Sequence, residues 1–189
     1  MAEGLTIVEA TADRWDDFED LMGPKGGAGG CWCMLWRLKR PDFKAGEGEG
    51  NRAAIRRVAE TADAPPGLLA YEGDLCVGWL SIAPRREFPR LDSSRILYPL
   101  DDREVWSITC FLIRKGHRRK GIATALLVAA KEFVRSRGGG ILEGYPIDPE
   151  KPEYPPVYAW TGLKKAFDRA GFSEAARRTP TRPIMRASV

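Results

Sequence analysis

The densest concentration of chemistry in the 189-residue chain is the run I-R-K-G-H-R-R-K-G-I-A-T over residues 113–124. Arg114, Lys115, Arg118, Arg119 and Lys120 place five cations within seven positions. A strongly apolar stretch, residues 105–113, leads into this turn and is the most strand-like segment of the chain. Out of the turn comes a helical stripe, with Ile122, Ala125, Leu126, Ala129, Phe133 and Val134 spaced to share one face. The turn therefore opens a helix. The first N–H groups of a helix have no partner inside it and lie at the positive end of its dipole. Gly121 and Ala123 leave that end bare enough for an anion to reach the backbone. Such a turn is a cradle for a di- or polyphosphate. It is not a Walker A loop, because no Gly-Lys-Ser/Thr follows, and it lacks the three-glycine dinucleotide fingerprint. The plainer reading of the same residues is a solvated basic surface.

Other candidate groups are sparse. His117 is the only histidine, lies in the same turn, and is expected to be exposed with at most an auxiliary phosphate contact. The four cysteines, Cys31, Cys33, Cys76 and Cys110, include no Cys-x-x-Cys, so a zinc site is poorly supplied and no metal is expected. Cys31 and Cys33 are expected to pack in a loop or core, and Cys110, with no base beside it, to be a buried thiol. Tyr145 shares a strand face with Glu143 two residues earlier. A strand-end glutamate paired with an arginine, and a ring capping the sheet, are the plainer readings of that pair.

These groups need a scaffold, and the pattern supplies one. Strands are predicted over residues 6–10, 68–71, 75–83, 105–113 and 141–145, with helices over 13–22, 51–61, 121–137 and 160–170, the second capped by Asn51. A closing ribbon is expected over 172–177 and 183–186. Residues 23–30, with five glycines in eight positions, form a loop that delivers the aromatic segment 31–38, C-W-C-M-L-W-R-L. That segment either lines a pocket, as a lid on its glycine tether, or covers the sheet. Residues 84–103 carry five arginines and three prolines and are expected to be an irregular excursion. Residues 146–156, with five prolines, must be a loop. The mixed order gives an α/β or α+β fold in one domain spanning residues 1–189. Lys plus Arg total 30 and Asp plus Glu 26, a net +4 that argues against a nucleic-acid wrapper and leaves room for an anionic ligand. No apolar run approaches the ~20 residues of a membrane span, and no secretory segment opens the chain, so a cytoplasmic location is expected.

The strand followed by R-R-K-G-I-A at the head of a long helix resembles the acetyl-CoA-binding motif of the GNAT N-acetyltransferase superfamily, Arg/Gln-x-x-Gly-x-Gly/Ala. Ile113 stands where that family has a strand-end valine, Leu142-Glu143 where it often has Leu-Glu, and F-D-R-A-G-F over residues 167–172 matches its aromatic-x-x-x-Gly-Phe ending. The resemblance implies a splayed mixed sheet flanked by helices and an acetyl-CoA-dependent transfer of an acetyl group directly to an amine. It implies that backbone groups of Phe111, Leu112 and Ile113 pair with the pantetheine arm. The cofactor's pyrophosphate would lie on Arg118, Arg119, Lys120, Gly121, Ile122, Ala123 and Thr124.

By the same resemblance Glu143 is the candidate general base, through a water; Glu104, at the start of the central strand, is the runner-up by position. The family's usual tyrosine acid is replaced here by Phe167, and Trp160 stands where an asparagine often opens the helix. Tyr145 is therefore the candidate acid, with Tyr158 second. The acceptor is expected to be a small-molecule or peptide amine, with no nucleic acid and no membrane as partner. The oligomeric state is left open, a homodimer among the options. Two rivals remain: a catalytically silent CoA-binding or regulatory module, which the loss of the usual tyrosine favours, and a nucleic-acid-binding protein using residues 114–120.

Overall fold

The computed structural model describes residues 4–149, 155 and 158–189. Seven strands form one sheet: β1 (Leu5–Glu9), β2 (Gly67–Glu72), β3 (Leu75–Pro84), β4 (Val105–Ile113), β5 (Ile141–Gly144), β6 (Ser173–Arg177) and β7 (Pro183–Ser188). Their order across the sheet is β1-β2-β3-β4-β5-β7-β6. Every neighbouring pair is antiparallel except β4 and β5, which run parallel. A parallel pair needs a crossover, and helix α5 (Ile122–Arg135, numbered after the four helices introduced below) provides it. The expected α/β fold with a mixed sheet is thus the observed one.

The sheet is covered on both faces, and β2 shows how. Leu68 and Ala70 point into a core shared with Leu126, Leu127, Ala130, Phe133 and Val134 of α5. Leu69 and Tyr71, alternating with them, point into the opposite core. There α1 (Trp15–Met22) and α3 (Glu49–Thr61) pack with segment 31–38 around Trp79, which is fully buried. Trp79 meets Phe18 edge-on at 4.8 Å between ring centres. Burying a side chain of that size contributes about 2–3 kcal/mol. A third cluster, built from Phe88, Leu91 and Leu97 on the excursion, covers Tyr145 and Ile184. Among the described residues no helix is long and apolar enough to cross a membrane.

Several elements differ from expectation. A short helix, α2 (Arg40–Ala45), precedes α3, and α3 begins at Glu49 rather than after Asn51. Asn51 therefore does not cap it. Its amide is buried and donates to the carbonyls of Gly30 and Phe43, tying the glycine loop down. The excursion begins one residue later than expected and contains a one-turn helix, α4 (Pro89–Asp92). The last helix, α6, spans only Lys164–Arg169, because Leu163 before it is extended and residues 160–163 are drawn into the sheet. β5 ends at Gly144, so Tyr145 lies just beyond it. The loop expected over 146–156 lies, from residue 150 and apart from Pro155, outside the described residues.

Gly144 is the point where β5 leans on α6. A Cβ there would stand 2.2 Å from Cε1 and 2.7 Å from Cζ of Phe167, which is fully buried against Phe111 and Phe172. No side chain larger than hydrogen fits without moving the ring. Gly144→Ala is expected to lower stability by about 2–3 kcal/mol through overpacking, read as a lower urea midpoint with an unchanged denaturant slope.

Candidate active site

β4 and β5 pair over four residues, from Val105 with Ile141 to Ile108 with Gly144, and then diverge. The divergence has a local cause. On the other edge of β4, Ser81 of β3 faces Cys110 while the next residue, Ile82, faces Ile108, so Thr109 is an extra residue in a β-bulge. A bulge bends its strand and sharpens its twist. It falls at the last paired position of β5, and the outer half of β4 swings away from there.

The outer half of β4 leads into the basic turn. Gly121 sits at the head of α5 with φ +83°, and a Cβ on it would meet nothing within 4 Å. The first helical hydrogen bond runs from the Ala125 N–H to the Gly121 carbonyl, 3.0 Å. The N–H groups of Ile122, Ala123 and Thr124 precede that bond and have no partner in the helix. Arg119 is also left-handed, at φ 66°. Lys115, Arg118, Arg119 and Lys120 are exposed around this open end. These observations fit a pyrophosphate, which needs bare N–H donors with mobile cations around them. Three basic groups have partners within the chain: Arg114 with Asp20 and the Cys76 carbonyl, Arg118, through Nε, with the Ile113 carbonyl at 3.1 Å, and Lys120 with Glu72 at 3.6 Å. His117 is half-buried rather than exposed, because its Nδ1 lies 3.0 Å from Glu72.

The strand edge expected to meet pantetheine is partly in use. The Phe111 N–H donates to the Trp160 carbonyl at 2.6 Å. The Ile147 N–H donates to the Gly162 carbonyl at 2.9 Å, and Ile147 bridges Leu163 in parallel. Residues 160–163 thus lie between the parted strands. Arg182 holds them there by donating to Thr161 Oγ1 at 3.0 Å and to the Tyr145 carbonyl at 3.4 Å.

Glu143 and Tyr145 come together at the mouth of the divergence, the Tyr145 hydroxyl donating to Glu143 Oε1 at 2.7 Å. Both are 1% exposed. Arg85 Nη1 donates to the same Glu143 oxygen at 2.9 Å and to the Tyr145 oxygen at 2.8 Å. Arg186 Nε donates to Glu143 Oε2 at 2.7 Å, and Ser107 Oγ completes the Tyr145 oxygen at 2.8 Å. Both carboxylate oxygens therefore face guanidinium groups. Arg186 also grips Asp101, and with Arg103 it holds that carboxyl well below the usual range. Arg186 sits directly across the ladder from Glu143, a register between residues 43 apart in sequence. Arg85 comes from the excursion. Neither partner was named from the sequence, although the arginine-rich composition of residues 84–103 was its visible trace. Glu104, the runner-up base, lies exposed at the far end of β4, about 30 Å of strand from Ile113. Tyr158 is exposed.

The aromatic segment divides between the two roles foreseen for it. Trp32, Cys33 and Met34 are buried in the second core, whereas Trp36 reaches the divergence and meets the Trp160 ring at 5.9 Å, with its indole Nε1 buried and without a partner. A cleft of about 710 Å³ opens beside the glycine loop, lined by Glu19, Asp20, Glu47 and Glu49 against Lys25 and Arg52. Among the described residues no cluster of three or more His, Cys, Asp or Glu could hold a metal.

Burial, reinforced by the Glu143 carboxylate, pushes the Tyr145 phenol well above its ordinary 10.0. A raised folded-state pKa means that stability is complete below pH 10 and is lost as the pH rises above it, because only the unfolded chain ionises readily. Tyr145→Phe removes that loss together with the hydrogen bonds. The variant should be less stable than the wild type at pH 7, and urea titrations should show the gap narrowing by about 1.4 kcal/mol at about pH 11.

Comparison with known proteins agrees with this geometry. Residues 32–145 match the acetyltransferase (GNAT) family. No curated protein gives a significant match. Among solved structures, a Salmonella typhimurium protein assigned as an acetyltransferase, solved with its cofactor acetyl-CoA, aligns at TM-score 0.56 and 15% identity over 98% of this chain and 94% of its own. A GNAT-family acetyltransferase from Listeria monocytogenes aligns at 0.60 and 10% over 100% and 98%. The PaiA N-acetyltransferase of Thermoplasma acidophilum, in complex with coenzyme A, aligns at 0.54 and 9% over 98% and 99%. At these identities the likeness is one of fold, and the match over residues 32–145 carries the assignment: the chain belongs to the acetyltransferase (GNAT) family.

Proposed function

We propose that the protein is an N-acetyltransferase that moves the acetyl group of acetyl-CoA directly to the amine of a small molecule or peptide. The observation that carries this reading is the open head of α5, where three unpartnered N–H groups and four exposed cations surround a glycine with free space beside it. Residues 118–124 would hold the pyrophosphate, and the thioester supplies an already activated acyl group. The pantetheine arm would lie along Phe111, Leu112 and Ile113, so entry must first release the Trp160 carbonyl from the Phe111 N–H.

Proton handling would fall to the pair at the mouth of the divergence. Tyr145 keeps its proton and could give it to the departing thiolate, and the resulting phenolate, held by Arg85 and Ser107, would take back the proton that the acylated amine sheds. Glu143, with both oxygens on arginines, would act through Tyr145 as a positioning residue. The direct-base role expected for it would need a water at a carboxylate already faced by guanidinium groups on both sides. Phe167, in place of the family's tyrosine, is packed in the core and donates nothing.

Thiol release from acetyl-CoA should be seen with at least one member of an amine panel, and acetyl-CoA should change the tryptophan fluorescence as the Trp36–Trp160 contact is rearranged. Gly121→Glu should abolish both by placing an anion in the cradle, and undiminished binding in that variant would sink the assignment. Binding without turnover for any amine would instead favour the silent module. Glu143→Gln separates the two roles for that residue: a positioning role lowers kcat about equally across pH, whereas a base role lowers it most at low pH.

A further inference from the structure

Cys33 and Cys110, 77 positions apart in sequence, meet where segment 31–38 packs on β4. The Cys33 thiol donates to the Cys110 sulfur at 3.3 Å, and the two residues are 5% and 9% exposed. Closing that gap to a bond needs a shift of about 1.3 Å. Three features set the pair apart from ordinary core thiols. The Trp79 indole Nε1 donates to Cys33 Sγ at 3.1 Å, so the sulfur already faces a group that stabilises charge developing on it. Trp32 and Cys33 are both left-handed, at φ 45° and 58°, a conformation that L residues hold only where their surroundings impose it. The arm that carries Cys33 follows the five-glycine loop 23–30 and lies in no helix or strand, so single contacts rather than a hydrogen-bonded ladder hold it in place. Cys31 turns instead to the Gly26 carbonyl, and Cys76 turns to the Gly78 carbonyl.

We propose that Cys33 and Cys110 form a dithiol site that hydroperoxides oxidise to a disulfide, stapling segment 31–38 to β4. One sulfur attacks the peroxide O–O bond and takes up an oxygen as S–OH, while the second peroxide oxygen leaves as water or an alcohol. The other sulfur then displaces the hydroxyl, which departs as water with the attacking thiol's proton, and the S–S bond forms. The two thiols lose two electrons and the peroxide gains them. The hydrogen bond to Cys110, together with burial, pushes the Cys33 thiol up, so the thiolate that attacks peroxide is scarce while the pair stays buried. The staple adjoins Phe111, and it lies three residues from Trp36, which meets Trp160. Oxidation would therefore fix one wall of the site. This inference stands independently of acyl transfer.

The test is to treat the full chain with hydrogen peroxide, unfold it, alkylate the remaining thiols and map the peptides. The expected product joins Cys33 to Cys110, leaves two of the four thiols to alkylate, and reverts with dithiothreitol. Because the bond closes a long loop in the unfolded chain, the thermal midpoint should rise by about 5–10 °C. Cys31→Ser should keep the bond and the shift, and Cys110→Ala should lose both. Four free thiols after treatment, separate sulfinic acids, or a Cys31–Cys33 bond as the main product would overturn the proposal. Should Cys110→Ala fail to fold, mapping of the wild type and Cys31→Ser decides the matter.

Discussion

Where β4 and β5 part, a sheet otherwise hydrogen-bonded from edge to edge holds two strand edges facing each other across a gap at its centre. A buried backbone group left without a partner costs about 1–3 kcal/mol, so the gap has to be filled. The Trp160 and Gly162 carbonyls meet N–H groups on its two sides, and Arg182 ties their segment to Tyr145. Everything about the candidate site follows from this gap. The bulge at Thr109 opens it. The narrow contact between Gly144 and Phe167 sets its floor, and α5 presents its bare N-terminus at the far end of the same strand.

A second constraint is electrostatic. Glu143 is a carboxylate with almost no exposure, and such a charge is tolerated only with close partners. Arg85 reaches it from the excursion and Arg186 from β7, and each is anchored in turn, Arg85 by Asp92 and the Leu97 carbonyl, Arg186 by Asp101. The network does little for net stability, because desolvating the ions offsets most of their attraction. What it does is choose one position for an irregular stretch of twenty residues. That stretch then covers Tyr145 with Phe88, Leu91 and Leu97.

The two faces of the sheet divide the labour. The α5 face is a plain aliphatic and phenylalanine core. The other face carries Trp15, Trp32 and Trp79 with buried thiols, under a segment that no regular secondary structure holds. Its anchors are individual contacts: the Asn51 amide on the Gly30 carbonyl, Arg37 on Glu87 and the Pro66 carbonyl, and Cys33 on Cys110. A wall held by single contacts can be moved or stapled at one point without unfolding the sheet beneath it.

The sequence by itself determined the elements whose information is local. Alternation and helical spacing located the strands and α5, and the cations crowded against Gly121 marked the basic turn as a candidate cradle. Glu143 and Tyr145 were legible as neighbours because residues two apart on a strand share a face. What they bond to was not legible. Arg186 faces Glu143 only through the register of two strands separated by 38 residues of chain, and Arg85 only through the path of an irregular segment. The meeting of Cys33 with Cys110, the half-buried state of His117 and the use of the Phe111 N–H by Trp160 belong to the same class. Each depends on where distant segments come to rest, and side-chain periodicity carries no record of that. Tertiary packing alone decided it, because strand pairing and burial are satisfied over the whole molecule at once.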